Sequence, residues 1–449
     1  MKIGLEIHIQ LPTRTKLFCS CSTAGDEVNS SVCPICLGFP GSRPMLNRRA
    51  LEMGISIAKF LNCTISERVW FSRKTYFYPD LVKNFQITQY ETPLGRDGHF
   101  TVGGRRIGIW EIHIEEDPGR IKRAGRAGEE IALVDYNRSG VPLVEIVTAP
   151  DLTSPEEARA FLSDLLIELR HLIGLSAQDE TTVRADANIS VGEERVEIKN
   201  INGLKNIERG LKFEVKRQSK LLAAGKKITR ETRRYDEERG TTLPSREKEF
   251  EEDYGYIGEP DLGTFNIGQM ARALEVPETP LARASRLERE HGLASSSARQ
   301  IVLTSWELAD LFETLAARFG AETATTWTLG PLSSHWKELQ ERHGDGAGEK
   351  VVPIIEEVHT GAITDAEARM RLDVLAGREA VIATAPTAQG DLEQLVVRLV
   401  DEHPEVVKDY RNNPRAANFL IGQVMKETQG RYASKEVSDM IRKELEKRV

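Results

Sequence analysis

No stretch of this chain approaches the roughly 18 consecutive apolar residues that a membrane span requires. Its first residues, Met1-Lys2-Ile3-Gly4-Leu5-Glu6-Ile7-His8, carry charge where a secretory signal has its apolar core, so export is not expected. Neither a Gly-x-x-x-x-Gly-Lys-Ser/Thr loop nor a Gly-x-Gly-x-x-Gly turn after a strand occurs, so any nucleotide must bind without the common phosphate cradles. Gly103-Gly104-Arg105-Arg106 reads as a hairpin turn instead. There is no Gly-x-Ser-x-Gly elbow. Cysteine is scarce and odd in number, five in all, which argues against a disulfide framework and for a reducing compartment, by default the cytoplasm.

At 449 residues the chain is too long for a single core, and a prior of about 100–200 residues per domain gives two to four. Its 40% hydrophobic and 29% charged content is that of a folded globular protein. The net charge of −8 argues against a general nucleic-acid coat, whose affinity comes from neutralising phosphates. A local basic surface remains open: residues 205–234 hold eleven Lys and Arg against three acids, a solvated helix face or an RNA-facing one. Up to about residue 262 the pattern is short alternating runs, with strands clearest at 4–9, 107–114, 143–147 and 183–191 and helices at 46–61, 154–172 and 203–224. Beyond a turn-rich link at 255–263, amphipathic helices are expected at 282–291, 295–318, 366–376, 390–402 and 434–447. The expected class is α+β. A β-rich cradle-like domain (1–262) leads to a helical domain (263–383), and a break near 383–390 precedes a small helical tail (384–449).

Cys19-x-Cys21, eleven intervening residues and Cys33-x-x-Cys36 offer four thiolates in two tight pairs, which suits a tetrahedral zinc knuckle with no open position, hence a structural one. The first strand is the most telling segment. Ile3, Leu5, Ile7 and Ile9 share one face, so Glu6 and His8 share the other, one strand period or about 7 Å apart. Further acids sit in apolar strands: Glu115, Glu116 and Asp117, Glu145, and Asp186 in Arg184-x-Asp186-x-Asn188. Carboxylates crowded together repel and rise in pKa, whereas a hard divalent cation such as Mg²⁺ or Mn²⁺ would hold them with one imidazole. Arg73-Lys74-Thr75-Tyr76-Phe77-Tyr78-Pro79-Asp80 mixes cations with three aromatic rings; it is a turn over a packed cluster or the wall of a pocket for an anionic or planar group.

Gly4-Leu5-Glu6-Ile7-His8, Tyr76-Phe77-Tyr78-Pro79-Asp80, Ile114-Glu115-Glu116-Asp117, Asp135-Tyr136-Asn137-Arg138-x-Gly140-x-Pro142-Leu143-x-Glu145-Ile146-Val147, Arg184-x-Asp186-x-Asn188, Lys199-Asn200-x-Asn202 and Glu231-Thr232-Arg233-Arg234 stand in that order along the chain. Together they resemble the family of aspartyl/glutamyl-tRNA amidotransferase B subunits. The likeness continues more loosely through Phe419-Leu420-x-Gly422-Gln423-Val424-Met425-Lys426 in the tail.

The resemblance implies an ATP-dependent ligase that works with two partners, an amidase (the A subunit) and a small third protein (the C subunit). ATP phosphorylates the side-chain carboxylate of Asp-tRNA(Asn) and/or Glu-tRNA(Gln), and channelled ammonia from glutamine then displaces phosphate. It implies one Mg²⁺ (or Mn²⁺) on His8, Glu116 and Glu145, and a second, ATP-associated, on Glu6 and Asp186. Arg184 is implied to meet the ATP phosphates, Lys74 and Lys83 to line the ammonia path, and Cys19, Cys21, Cys33 and Cys36 to hold zinc. The tail, YqeY-like, would grip misacylated tRNA. Strict alternation through Trp110-Ile112-Ile114 instead puts Glu115 on the polar face, unless the strand ends or bulges there. The archaeal type, built of two subunits, needs an inserted domain for which 255–270 leaves no room, so the heterotrimeric type is favoured. A zinc-stabilised RNA-binding module without catalysis is the alternative from another class. A tRNA-charging enzyme is disfavoured, because no His-Ile-Gly-His-like or Lys-Met-Ser-Lys-Ser-like signature is present.

Overall fold

Alternation builds the centre of the first half of the chain. In the strand Lys2–Gln10, Ile3, Leu5, Ile7 and Ile9 are buried, while Glu6, His8 and Gln10 remain partly accessible on the opposite face. This strand is the middle of a nine-stranded sheet. On one side lie Arg184–Ser190, Val196–Asn202, Glu231–Asp236 and Thr241–Pro244 in that order. On the other lie Pro142–Thr148, Arg105–Glu116, Gly95–Val102 and Thr64–Ile65. The pairings are antiparallel except that of Val196–Asn202 with Glu231–Asp236. A parallel pair needs a crossover, and the helix Leu204–Ala223 lies in that connection.

The computed structural model describes residues 1–25, 27–125, 131–176, 183–245, 255–378, 389–410, 414–428, 432 and 434–448. The helices Arg48–Phe60, Pro155–Ile173 and Leu204–Ala223 pack against strands of the large sheet. Gly54 permits the first of these contacts, because a Cβ there would lie 2.6 Å from Ile114 Cδ1 and 2.8 Å from Leu94 Cδ2. Local signals set the helix ends. Asn47 accepts hydrogen bonds from the Arg49 and Ala50 amides, and Ser154 from the Glu157 amide, with Pro155 in the first turn. The hairpin expected at Gly103-Gly104 joins Gly95–Val102 to Arg105–Glu116, both glycines having positive φ.

Two compact units divide the chain, Met1–Thr279 and Pro280–Val449. The first therefore runs past the expected limit at 262. Phe265–Asn266 pairs with Arg68–Val69, and Lys59 Nζ donates to the Ala271 carbonyl at 2.9 Å and to that of Leu274, so the helix Gly268–Ala273 belongs to it. The second unit is helical among the described residues. One core gathers Leu287, Phe312, Leu315, Trp336 and Leu372; another gathers Leu399, Leu420, Val424 and Ile441. The expected domain break at 383–384 lies outside the described residues. A single helix expected over 295–318 is two, Ser295–Thr304 and Trp306–Phe319. Ser305 is extended between them and caps the second, accepting from the Leu308 amide at 3.0 Å and from Trp336 Nε1 at 2.6 Å. No helix among the described residues is long and apolar enough to cross a membrane.

Candidate active site and cysteine cluster

Register places the polar residues of the central strands side by side. His8 stands opposite Glu145 on one neighbour and Arg184 on the other, and Glu145 stands opposite His113. Two residue pairs along, Glu6 stands opposite Asp186. Cross-strand neighbours have Cβ atoms about 4.5–5.5 Å apart, so the side chains on this face must meet. His8 Nε2 is hydrogen-bonded to Glu145 Oε2 at 3.1 Å and lies 3.5 Å from Glu115 Oε1 and 3.8 Å from Glu6 Oε1. Donor atoms of Glu6, His8 and Glu145 all fall within 4.8 Å of one another, close enough for one metal ion to bridge them. Glu6, His8 and Glu115 line a cleft of about 1050 Å³, with Glu145 bonded to His8, and its other walls include Lys74, Arg138, Arg184, Lys199 and Arg234.

The electrostatics follow from three carboxylates around one ring. Burial, then the Glu145 charge, pushes the Glu6 carboxyl up to about 8. Burial alone would deprotonate His8, but the hydrogen bond and charge of Glu145, then Glu115 and Glu6, raise it to about 10. Glu145, although buried, is held down to about 2 by the His8 hydrogen bond and charge, with help from His113 and Lys74. Burial also raises Glu115. Lys74 is raised despite its burial, by Tyr256 and then by Glu115, Glu145 and Glu6. The floor of the cleft thus keeps protons and an ammonium to balance its acids, a balance that a divalent ion could take over.

Glu116 does not join His8 and Glu145; Glu115 does. The pairing of Arg105–Glu116 with Pro142–Thr148 is regular from Glu116 back to Glu111, and its only irregularity lies at Val147/Thr148. No bulge turns Glu116 toward the cleft. Its carboxylate instead pairs with Lys83 and accepts the Ile87 amide at 2.8 Å on the opposite side of the strand. There it lines a cavity of about 220 Å³ shared with Lys16, Cys36, Lys83 and the Arg73–Glu259 pair. Lys83 and Lys74 therefore border different spaces, with Thr88 bonding Glu115 and Ile87 bonding Glu116 between them. Asp186 accepts the Asn200 amide at 2.7 Å and lines the cleft beside Glu6. Arg184 Nη2 grips the fully buried Asp117 at 2.7 and 2.8 Å.

The four cysteines converge, their sulfurs lying within 4.8 Å of one another, so this cluster could bind a metal such as zinc. Cys36 Sγ receives the Cys33 amide at 3.2 Å and the Lys16 ammonium at 3.6 Å. A hydrogen bond from Cys19, outweighing burial, brings the Cys36 thiol down to about 4, whereas Cys21 rises to about 11 through burial. Cys63, outside this pattern, sits under Gly95 and Gly98.

Residues 1–272 match the family model described as the GatB/GatE catalytic domain, and residues 310–445 match one described as a GatB domain. The chain belongs to the GatB/GatE family. A protein of Methanospirillum hungatei, named as the B subunit of aspartyl/glutamyl-tRNA(Asn/Gln) amidotransferase, is 41% identical, with 100% of this chain and 98% of the relative aligned. A protein of Carboxydothermus hydrogenoformans with the same name is 39% identical over 99% of this chain and 98% of its own. One from Thermomicrobium roseum is 41% identical over 96% and 95%.

Within the GatB/GatE catalytic domain, Asp117, one of the acids singled out in the sequence, is a hub that also takes Gln10 Nε2 at 2.7 Å and lies 3.5 Å from Arg138 Nε. Other groups at or near the cleft went unnoticed in the sequence. His113 is buried on the cleft face, paired with Glu111 at 3.3 Å, and only its place two residues before Glu115 could have signalled it. Lys16 is wholly buried against the cysteines, and nothing in a lone lysine announces that. The basic run at 205–234 is partly internal. Arg217 and Arg233 both bind the buried Glu214 and bond Glu231 as well.

Proposed function

We propose that this chain is the carboxylate-activating component of a tRNA-dependent amidotransferase. A carboxylate oxygen of Asp-tRNA(Asn) and/or Glu-tRNA(Gln) attacks the γ-phosphorus of ATP and releases ADP. Ammonia, freed from glutamine on a partner amidase, then attacks the acyl carbon, and phosphate departs to leave Asn-tRNA(Asn) or Gln-tRNA(Gln). The relatives' name supports the amidation of tRNA. The observation that carries the reading is the placement of Glu6, Glu115 and Glu145 around His8 on the floor of a cleft with cationic walls.

Two carboxylates and an imidazole within bridging distance suit Mg²⁺ or Mn²⁺, with Glu115 in the place the resemblance gave to Glu116, and with Glu6 and Asp186 serving a second, ATP-associated ion. Such ions, when bound, neutralise phosphate charge and orient the reacting oxygens. The chain's own groups do the rest. Arg184, held in plane by Asp117, faces the cleft and meets the ATP phosphates. Lys74 offers positive charge next to the acids, where the substrate carboxylate must approach. The ammonia path runs from the Lys83–Glu116 cavity past the Glu115-Glu116 step to Lys74, which keeps the activated acyl group away from bulk water. Zinc on Cys19, Cys21, Cys33 and Cys36 braces this corner of the cradle. A small third protein completes the cytoplasmic heterotrimer, and the helical tail holds the tRNA body by shape and phosphate contacts.

The test is amidation by the reconstituted complex with each misacylated tRNA in turn. Glu145→Gln and Asp186→Asn are expected to abolish ATP-dependent amide formation while tRNA binding persists. Full amidation by both variants would overturn the reading.

A further inference from the structure

The segment Tyr76-Phe77-Tyr78 forms part of the same cleft but has no part in the chemistry set out above. Phe77 is 85% exposed and Tyr78 49%, unusual for large rings on a segment so firmly held. The backbone around them is pinned at several points. The Tyr76 amide donates to the Asn84 carbonyl at 3.3 Å, and the Leu81 amide to that of Tyr78 at 3.0 Å. Tyr136 Oη donates to the Pro79 carbonyl at 3.0 Å, and the Gly119 amide to that of Asp80 at 3.0 Å. The strand Ser72–Thr75, which delivers Lys74 to the acidic floor, runs directly into this loop. Reading outward from Lys74, the chain passes from the reacting groups to a rim of rings facing water.

We propose that Phe77, flanked by Tyr76 and Tyr78, is the platform on which the unpaired bases at the 3′ end of the tRNA stack as its aminoacyl group reaches the floor. The inference rests on the proposed function and adds the recognition of the acceptor end. A rigidly mounted, solvent-facing ring loses little entropy on covering a base, and stacking is tolerant of which base it meets. Single-stranded RNA ends are recognised chiefly by such stacking, with cations along the backbone. Those cations are present. Lys199 and Arg234 are cross-strand partners on the cleft face of the sheet, and Arg138 and Arg184 extend the basic wall into an adjoining recess of about 670 Å³. ATP brings only one base. Three successive rings at the mouth match a strand that arrives from outside with several bases unstacked.

The test measures binding by the assembled complex of full-length uncharged tRNA and of the same tRNA lacking its 3′-terminal adenosine. The unaltered complex is expected to prefer the full-length form by roughly five- to 150-fold, the worth of one stacked base. Phe77→Ala should bring that ratio close to one and leave the KM for ATP unchanged, and Phe77→Trp should restore it. Phe77 is exposed, so folding is not at issue. A ratio unchanged by Phe77→Ala overturns the proposal. So does a raised KM for ATP with the ratio intact, which would give the ring to ATP, or a failure of the variant to assemble, which would give it to a partner protein. Because the probe is uncharged tRNA, an unaltered complex that binds it but makes no amide would sink the parent reading alone.

Discussion

Adjacent glutamates on one strand end provide a test of opposite signs. Glu116 and Lys83 form an ion pair whose side chains are 5% and 7% exposed. Removing one partner of a buried pair costs about 3–5 kcal/mol, since the other charge is left without compensation. Glu116→Gln keeps an oxygen for the Ile87 amide, so the loss should fall near the lower end, about 3 kcal/mol. With a urea dependence of roughly 1–3 kcal/mol per molar, the unfolding midpoint of the first unit should drop by about 1–3 M. Glu115→Gln acts the other way. Burial and the Glu145 charge already hold that carboxyl above the usual range, and the amide still accepts from Thr88 Oγ1. Stability without added divalent ions should hold or rise, because a like charge leaves the cluster. Urea unfolding followed by circular dichroism under those conditions reads both. Equal losses in the two variants, or a larger loss for Glu115→Gln, would refute the assignment of the two side chains to opposite sides of the strand.

Gly54→Ala should cost about 1–3 kcal/mol, because the added methyl group meets Ile114 and Leu94 across the helix–sheet contact; an unchanged unfolding midpoint would contradict that packing. Glu214 is buried, yet bonds from Arg217, Thr242 and Gln218 hold its carboxyl below the ordinary range. Its contribution is therefore fully present above the unfolded-state pKa and is lost as pH falls through the lower, folded value. Glu214→Gln should weaken the fold at neutral pH and flatten the acid limb of the stability curve, so a limb as steep as before would show that this group does not set it. Replacing Cys36, on which the Lys16 ammonium and the Cys33 amide converge, by Ala should drop bound zinc from about one per chain to near zero, as measured by metal analysis. Full zinc content in that variant would place the metal elsewhere.

Much of the first unit was legible because strands declare themselves by period. Ile3, Leu5, Ile7 and Ile9 fixed which face of Lys2–Gln10 is buried, and so put Glu6 and His8 together. The same rule, carried along Arg105–Glu116, picks Glu115, and the regular ladder bears it out where the family likeness had pointed to its neighbour. The cysteine spacing was enough to bring four sulfurs together. What stayed hidden depends on contacts distant in sequence. Asp117 joins Gln10, Arg138 and Arg184, and Lys16 reaches Cys36 and the Tyr136 carbonyl, pairings that no local pattern encodes. The limit at Thr279 was missed for a similar reason. Lys59 reaches more than two hundred residues ahead to cap the helix Gly268–Ala273, and the turn-rich stretch before it looked like a link. The break at Ser305 was readable in principle, as a Ser cap followed by Glu307, but the long amphipathic run concealed it.

The measurement closest to the central claim is Mn²⁺ binding to this chain, followed by electron paramagnetic resonance as the free-ion signal disappears. The Glu6–His8–Glu145 cluster predicts saturable uptake that falls at least tenfold in affinity, about 1.4 kcal/mol, when His8 is replaced by Ala or Glu145 by Gln. Uptake of the same strength in both variants would mean that these side chains gather for some purpose other than holding a cation.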